Sequence, residues 1–396
     1  MIKIQPQIAD PNPKEQCAQA CQPEAELIRD YGSHALAFFG LTPESMHFLA
    51  PGGAGLVNYR LTRNVAVVLG DPVCNPEAFE QVTRSFLDFC ALRHWRVAFY
   101  QVYPEHLVTY RALKLRAFKM GEEAILHPQT FTLYGSAMAN VRTSCRRAER
   151  EGVIIQWYEG VPPTEVMQQL EHVSRAWLER KAGEQASEMG FSTGRLDELM
   201  NSAERADTIA NISTSSNVFP PAVPRLVTAV ATTSAGTACA FVTFTPIYGF
   251  LTAEATASGN QSRVHGWGWA LDLMRRAPDA PPGVIELLLV RAIERFRSCG
   301  AQLVSLGMIA MADTRQEMTS GQRQLTSFVT DRLGLFETRR TLFNFKQKFH
   351  PYWENRYLVT NTTLALPKIA LAVLRLRNYS GGGWARLISG SDKHEY

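Results

Sequence analysis

Apolar residues along the chain come in two patterns that alternate: short unbroken runs, and longer stretches with helical spacing. "NVAVVLGDPV" (residues 64–73) is an apolar run ended by a Gly-Asp-Pro turn, which predicts a strand. "PEAFEQVTRSFLDFCALRHW" (76–95) then places Phe79, Val82, Phe86, Phe89, Cys90 and Leu92 on one helical face. "RVAFYQVY" predicts a strand, "PEHLVTYRALKL" a helix opened by Pro104, and "AFKMGEEAIL" another strand. The same order returns later. "WALDLMRR" predicts a strand, "GVIELLLVRAIERFRSCG" a helix closed by Gly300, "AQLVSLGM" a strand, "GQRQLTSFVTDRL" a helix, and "FETRRTLFNFKQKF" a strand or hairpin.

Both halves thus read β-α-β-α-β, and strand–helix–strand units of this length imply right-handed crossovers and a partly parallel sheet. Ahead of the second unit come a strand ("GVIIQWYEG"), two helices ("EVMQQLEHVSRAWLERKAG", "RLDELMNSAERA") and further strands ("RLVTAVATT", "ACAFVTFTPI", "GFLTAEA"). The full order is that of a GCN5-related acyltransferase fold, so the expected architecture is a mixed α/β pair of such domains in tandem. "NISTSSNVFPPAVP" reads as an inserted surface loop. The expected division is a polar extension over 1–29, a first domain over 30–150, a second, catalytic domain over 151–358, and an apolar helix with a tail over 359–396.

Composition narrows the class. The 396 residues are 45% hydrophobic and 20% charged, as in a soluble globular protein, and the net charge of +4 permits an anionic partner without requiring one. Seven scattered cysteines predict reduced thiols in a cytoplasmic setting, and "CAQAC" lacks a second ligand pair for zinc. No apolar stretch reaches the ~18 residues of a membrane span, and the N-terminus does not read as a signal peptide.

Enzymes of this fold commonly bind coenzyme A on a glycine loop directly after the central strand. "RVHGWG" (263–268) spells such a loop but precedes "WALDLMRR". In the loop's own place stands "APDAPPG", whose prolines remove amide donors, so coenzyme A is not expected. Nor is there a nucleophile elbow or any His–acid pairing.

Four clusters remain. Asp272 and Arg275 end the central strand, where open α/β sheets gather ligands. Three residues apart, they point to opposite faces unless the strand bends or bulges near Met274, whereas Arg276 shares the Asp272 face; a simple strand-end ion pair is the rival reading. "RRTLFNFKQKFHPYWENRYLV" interleaves Arg339, Arg340, Lys346, Lys348 and Arg356 with aromatics, which suits nucleic-acid contacts and equally a half-solvated strand. "NVRTSCRRAEREG" carries Arg142, Arg146 and Arg150 as one helical stripe, with Arg147 beside it: a polyanion stripe or a solvated face. "LALPKIALAVLRLRN" (364–378) predicts a short apolar helix that caps the core or lies on acyl chains.

From about residue 30 to 358 the chain resembles the catalytic domain of the phosphatidylglycerol aminoacyltransferases, the lysyl- and alanyl-phosphatidylglycerol synthases. The stretches that carry the resemblance are "VVLGDPV", "AFYQV", "GEEAIL", "VRTSCRRAEREG", "GFSTGRLDE", "LDLMRR", "LVSLGM" and "KQKFHPYWENRYL". The resemblance implies transfer of an aminoacyl group from aminoacyl-tRNA to a lipid hydroxyl, most simply that of phosphatidylglycerol, at the inner face of the plasma membrane. It needs no cofactor or metal, and it implies a freestanding member without a flippase. Asp272, Arg275 and either Lys346 or Lys348 become catalytic, while Arg276, Arg356, Arg142, Arg146, Arg147, Arg339 and Arg340 hold lipid phosphate or tRNA. The alternatives are another acceptor, such as a sterol, or a coenzyme A-dependent N-acyltransferase.

Overall fold

The computed structural model describes residues 22–182, 194–212, 223–249, 266–310 and 336–378. The predicted helix at 321–333, the strand "GFLTAEA" and the "CAQAC" segment fall outside these residues, as does most of the predicted loop at 211–224.

A single mixed sheet carries both halves. Its strands are β1 (Met46–Leu49), β2 (Gly55–Thr62), β3 (Val65–Leu69), β4 (Val73–Cys74), β5 (Arg96–Val102), β6 (Arg116–Leu126), β7 (Ile154–Glu159), β8 (Val227–Thr232), β9 (Ala238–Ile247), β10 (Gly268–Arg276), β11 (Leu303–Ala310) and β12 (Tyr352–Thr360). They lie in the order β1-β2-β3-β5-β12-β6-β11-β10-β9-β8-β7, with β4 paired to β2. The helices are α1 (Gln22–Tyr31), α2 (Phe79–Leu92), α3 (Leu107–Ala112), α4 (Ala139–Arg150), α5 (Thr164–Ala182), α6 (Leu199–Asn211), α7 (Val284–Ser298), α8 (Phe336–Gln347) and α9 (Leu366–Asn378).

Each half contains one parallel pair bridged by a helix: β3 with β5 through α2, and β10 with β11 through α7. This is the tandem acyltransferase architecture expected from the element order. The unexpected feature is the placing of the last strands. β6, from the first half, pairs with β11, while β12, from the end of the chain, lies between β5 and β6. The halves have exchanged their final strands.

Alternation along the strands sends side chains into separate cores. In β3, Ala66 and Val68 face α2 and α3, while Val65, Val67 and Leu69 face α9. In β9, Val242 and Phe244 face α4 and α7, while Phe241 joins the core under α1, α5 and α6. These strands are buried on both faces, which is why they read as unbroken apolar runs. Ile369 and Ala372 of α9, with Ala365 just before it, are buried against the first half, so this apolar helix takes the core role.

The predicted strand at 336–349 is a helix. Helix-favouring Glu, Arg, Leu, Lys and Gln populate it, and Phe345 packs with Phe349 into the core beside α4 and α7. The alternation of Phe343 and Phe345 that suggested a strand is local to those positions.

Candidate functional site

The bend demanded by Asp272 and Arg275 is present. β10 and β9 pair Leu271 with Phe244 and Met274 with Val242, so Asp272 and Leu273 together oppose the single residue Thr243. Such a bulge turns two successive side chains to one side. The Thr243 hydroxyl accepts the Leu273 N–H at 2.9 Å and lies 3.5 Å from the Asp272 carboxylate. Leu273 enters the core under α5 and α6, and Arg275, paired with Phe241, follows it to that face. Asp272 and Arg275 therefore share a face despite their spacing of three.

Each is held by residues that local sequence does not signal. Asp272 Oδ1 accepts the Gly194 N–H at 2.6 Å, and a Cβ at position 194 would stand 2.2 Å from Oδ2, so only glycine permits the approach. Arg275 is 5% exposed, donates to the Ser174 hydroxyl, and stands 5.4 Å from the centre of the Trp177 ring. Ser174 and Trp177 sit three apart on α5, one helical face. Arg276, the last residue of β10, is exposed.

The parallel pairing of β10 and β11 stops after Ala270 and Ser305, although both strands continue, which leaves a gap between them. β11 has its own bulge between Ser305 and Met308, centred on Gly307 at φ +84°. Lys346 of α8 fills this bulge from the side, its Nζ donating to the Gly307 carbonyl at 2.9 Å. A Cβ on Gly307 would lie 3.6 Å from that Nζ and 3.9 Å from the Leu271 carbonyl oxygen, so the lysine and the Asp272 bulge border one small space. Burial lowers the Lys346 amine to about 8, with the Glu123 carboxylate pulling the other way.

Lys348 differs. It lies beyond the helix, its side chain 40% exposed, and pairs with Glu286 at 2.9 Å. Of the two candidate lysines, Lys346 is the one at the gap.

Arg356 is not a surface contact. It is 1% exposed, bound to Glu123, donates to Glu354 at 2.5 Å, and lies 3.6 Å from the centre of the Tyr103 ring. Its guanidinium is held among these groups inside the sheet, not at the surface. Arg142 is half-buried and donates to the Leu133 and Gly135 carbonyls, at 2.5 and 3.1 Å, so it braces the chain before α4. Arg146, Arg147 and Arg340 are exposed, whereas the Arg339 side chain lies outside the described residues. Beside Arg146 a cleft of about 400 Å³ opens between α4 and α7, lined in part by Phe131, Leu133, Tyr134 and Arg291.

The start of α7, where an acyltransferase would seat coenzyme A phosphates, is closed. Gly283 lies against the backbone of α4, since a Cβ there would stand 2.2 Å from the Ser144 carbonyl oxygen. Glu286, 9% exposed, brings a carboxylate to the first turn.

Among the described residues no cluster of His, Cys, Asp and Glu could hold a metal. The buried thiols of Cys74, Cys90 and Cys145 are pushed up to about 12 by burial, which makes them unreactive.

Two acyltransferase units on a shared sheet, with polar groups gathered where the second pair of parallel strands parts, define an acyltransferase-type fold. The structure of L-PGS from Bacillus licheniformis superposes with a TM-score of 0.70 at 24% identity, covering 90% of this chain and 96% of that one. The C-terminal domain of a putative lysylphosphatidylglycerol synthetase from Agrobacterium fabrum gives 0.69 at 24%, covering 92% and 98%. The family model described as phosphatidylglycerol lysyltransferase, C-terminal, matches residues 25–213 and 223–360, and the chain belongs to that family. A phosphatidylglycerol lysyltransferase of Bacillus subtilis is 27% identical over 356 residues, 89% of this chain and 36% of the relative. A lysylphosphatidylglycerol biosynthesis bifunctional protein of Mycolicibacterium gilvum is 26% identical over 353 residues, 87% of this chain and 28% of the relative. The chain thus spans about a third of the length of such relatives.

Proposed function

We propose that the protein transfers an aminoacyl group from aminoacyl-tRNA to the hydroxyl of a membrane lipid, phosphatidylglycerol in the first instance. The observation that carries this reading is the β10 bulge. It sets an acid and a buried guanidinium on one face, next to the gap where Lys346 ends.

The chemistry is an exchange of esters. The lipid oxygen attacks the aminoacyl carbonyl carbon as its proton passes to the Asp272 carboxylate. A tetrahedral oxyanion forms, which Arg275 and the Lys346 ammonium stabilise. The bond to the tRNA ribose oxygen then breaks, and that oxygen takes the proton back from Asp272, which returns to its carboxylate form. The product is again an ester, so no energy source is consumed at this step.

The names of the relatives support a lipid acceptor. The exposed Arg146 and Arg147, with the cleft beside α4, suit the phosphates and terminal base of a tRNA acceptor arm. No described helix is long and apolar enough to cross a membrane, and in this reading the protein meets its lipid at the bilayer surface. Coenzyme A as donor is disfavoured by the closed start of α7.

The test is purified protein with charged tRNA and vesicles containing phosphatidylglycerol, the lipids read by mass spectrometry. The expected product is aminoacylated phosphatidylglycerol, abolished by ribonuclease. Product formed equally after ribonuclease overturns the tRNA donor, and product only on a sterol or another lipid overturns the acceptor.

A further inference from the structure

Lys346 is held, through two intermediaries, from the first half of the chain. Its amine donates to the Gly307 carbonyl, and the Gly307 N–H donates to the Ser305 hydroxyl at 3.0 Å. That hydroxyl donates to Oε1 of Glu123 on β6. The other Glu123 oxygen accepts from Arg356 Nε at 2.7 Å, and Arg356 is fixed in turn by Glu354 and the Tyr103 ring. Ser305 is 1% exposed and Glu123 4% exposed, so water does not compete for these bonds.

The bulge of β11 is thereby pinned at both ends. Its carbonyl faces the lysine, and its N–H is tied to a hydroxyl that a clamped carboxylate orients. The exchange of strands makes this possible, because it sets β6 directly beside β11 and β12 directly beside β6.

We propose that Glu123 and Ser305 are positioning residues for Lys346: Ser305 fixes the carbonyl that aims the amine, and Glu123 orients Ser305 and presents the amine with a buried negative charge. This rests on the reading that Lys346 serves the transfer. Among the described residues, the charged group that acts on the Lys346 amine is Glu123 on β6, whose carboxylate is bound by Arg356 of β12, itself paired with Glu354.

The test uses the full chain and the variants Glu123→Gln, Ser305→Ala and Lys346→Ala. Acetic anhydride labelling of Lys346, quantified by mass spectrometry over a pH series, reads the ionisation of the amine without reference to turnover. The pH dependence of kcat is measured alongside. In Glu123→Gln the labelling midpoint is expected to move to lower pH by about one unit, and the alkaline limb of kcat to move with it. In Ser305→Ala, which keeps the Glu123–Arg356 pair, kcat is expected to fall about tenfold through loss of aim. A folded Glu123→Gln with an unmoved midpoint overturns the proposal. Should Glu123→Gln fail to fold, an unchanged kcat in Ser305→Ala overturns it instead. Full activity in Lys346→Ala defeats the reading of the site, whereas the labelling result still decides whether Glu123 governs the amine.

Discussion

The carboxylate of Asp272 accepts the backbone N–H of Gly194 at 2.6 Å, across 78 positions of sequence. A methyl group at 194 requires that carboxylate to move, since its carbon would stand 2.2 Å from Oδ2. Gly194→Ala should therefore displace the acid and lower kcat by about a hundredfold, with a small change in Tm. Steady-state transfer measured beside thermal melts checks this, and activity within twofold of the parent would show that the acid's placement does not matter. Asp272→Asn keeps the shape and removes the base, and should lose about 10²- to 10⁴-fold in kcat.

If Lys346 serves the transfer as proposed, it should give the reaction an alkaline limit. Its amine, lowered from 10.5 to about 8, is an ammonium below that pH, so kcat should fall as pH rises through about 8. The stability linkage has a definite sign. Between about 8 and 10.5 the unfolded chain binds more protons than the folded one, so this group makes stability rise with pH across that window. Below about 8 the cost of burying the charge is fully present. Lys346→Met should raise Tm at pH 7 and narrow the difference between melts at pH 7 and 10. A Tm that drops at pH 7 would mean the Gly307 hydrogen bond outweighs burial.

The two lysines should separate cleanly. Lys348 is partly exposed and pairs with the nearly buried Glu286, away from the gap. Lys348→Ala should leave kcat within about threefold of the parent, whereas Lys346→Ala should lose about a hundredfold or more. Equal losses in both variants would leave the two lysines undistinguished in their roles.

Arg146→Glu with Arg147→Glu should weaken tRNA binding. The slope of log affinity against log salt should become shallower by about one for each phosphate no longer neutralised. Fluorescence anisotropy of labelled tRNA at two salt concentrations measures this. An unchanged salt slope would place the tRNA on another surface.

Much of the fold and part of the site are legible in the residues alone. The runs at 65–69 and 238–247 announce strands buried on both faces, and the spacing of Asp272 and Arg275 demands a bulge that β10 contains. The misreadings have physical causes. Phe343 and Phe345 alternate like a strand, but their neighbours favour a helix, and packing of Phe345 and Phe349 beside α7 decides the matter. The burial of Arg356 depends on Glu123, 233 positions away, and nothing local marks that pairing. Gly194 stands in plain view within "GFSTGRLDE" but is silent as to its role, because the reason for a glycine there lies on another strand.

The strand that separates β5 from β6 is made long after both of them. During synthesis the first half must wait with an open seam, β5 and β6 unable to meet, until residue 360 has left the ribosome. The two halves thus mature as one event, and the lysine's supports assemble only when that seam closes. Separate expression of either half should yield an exposed edge rather than a working domain.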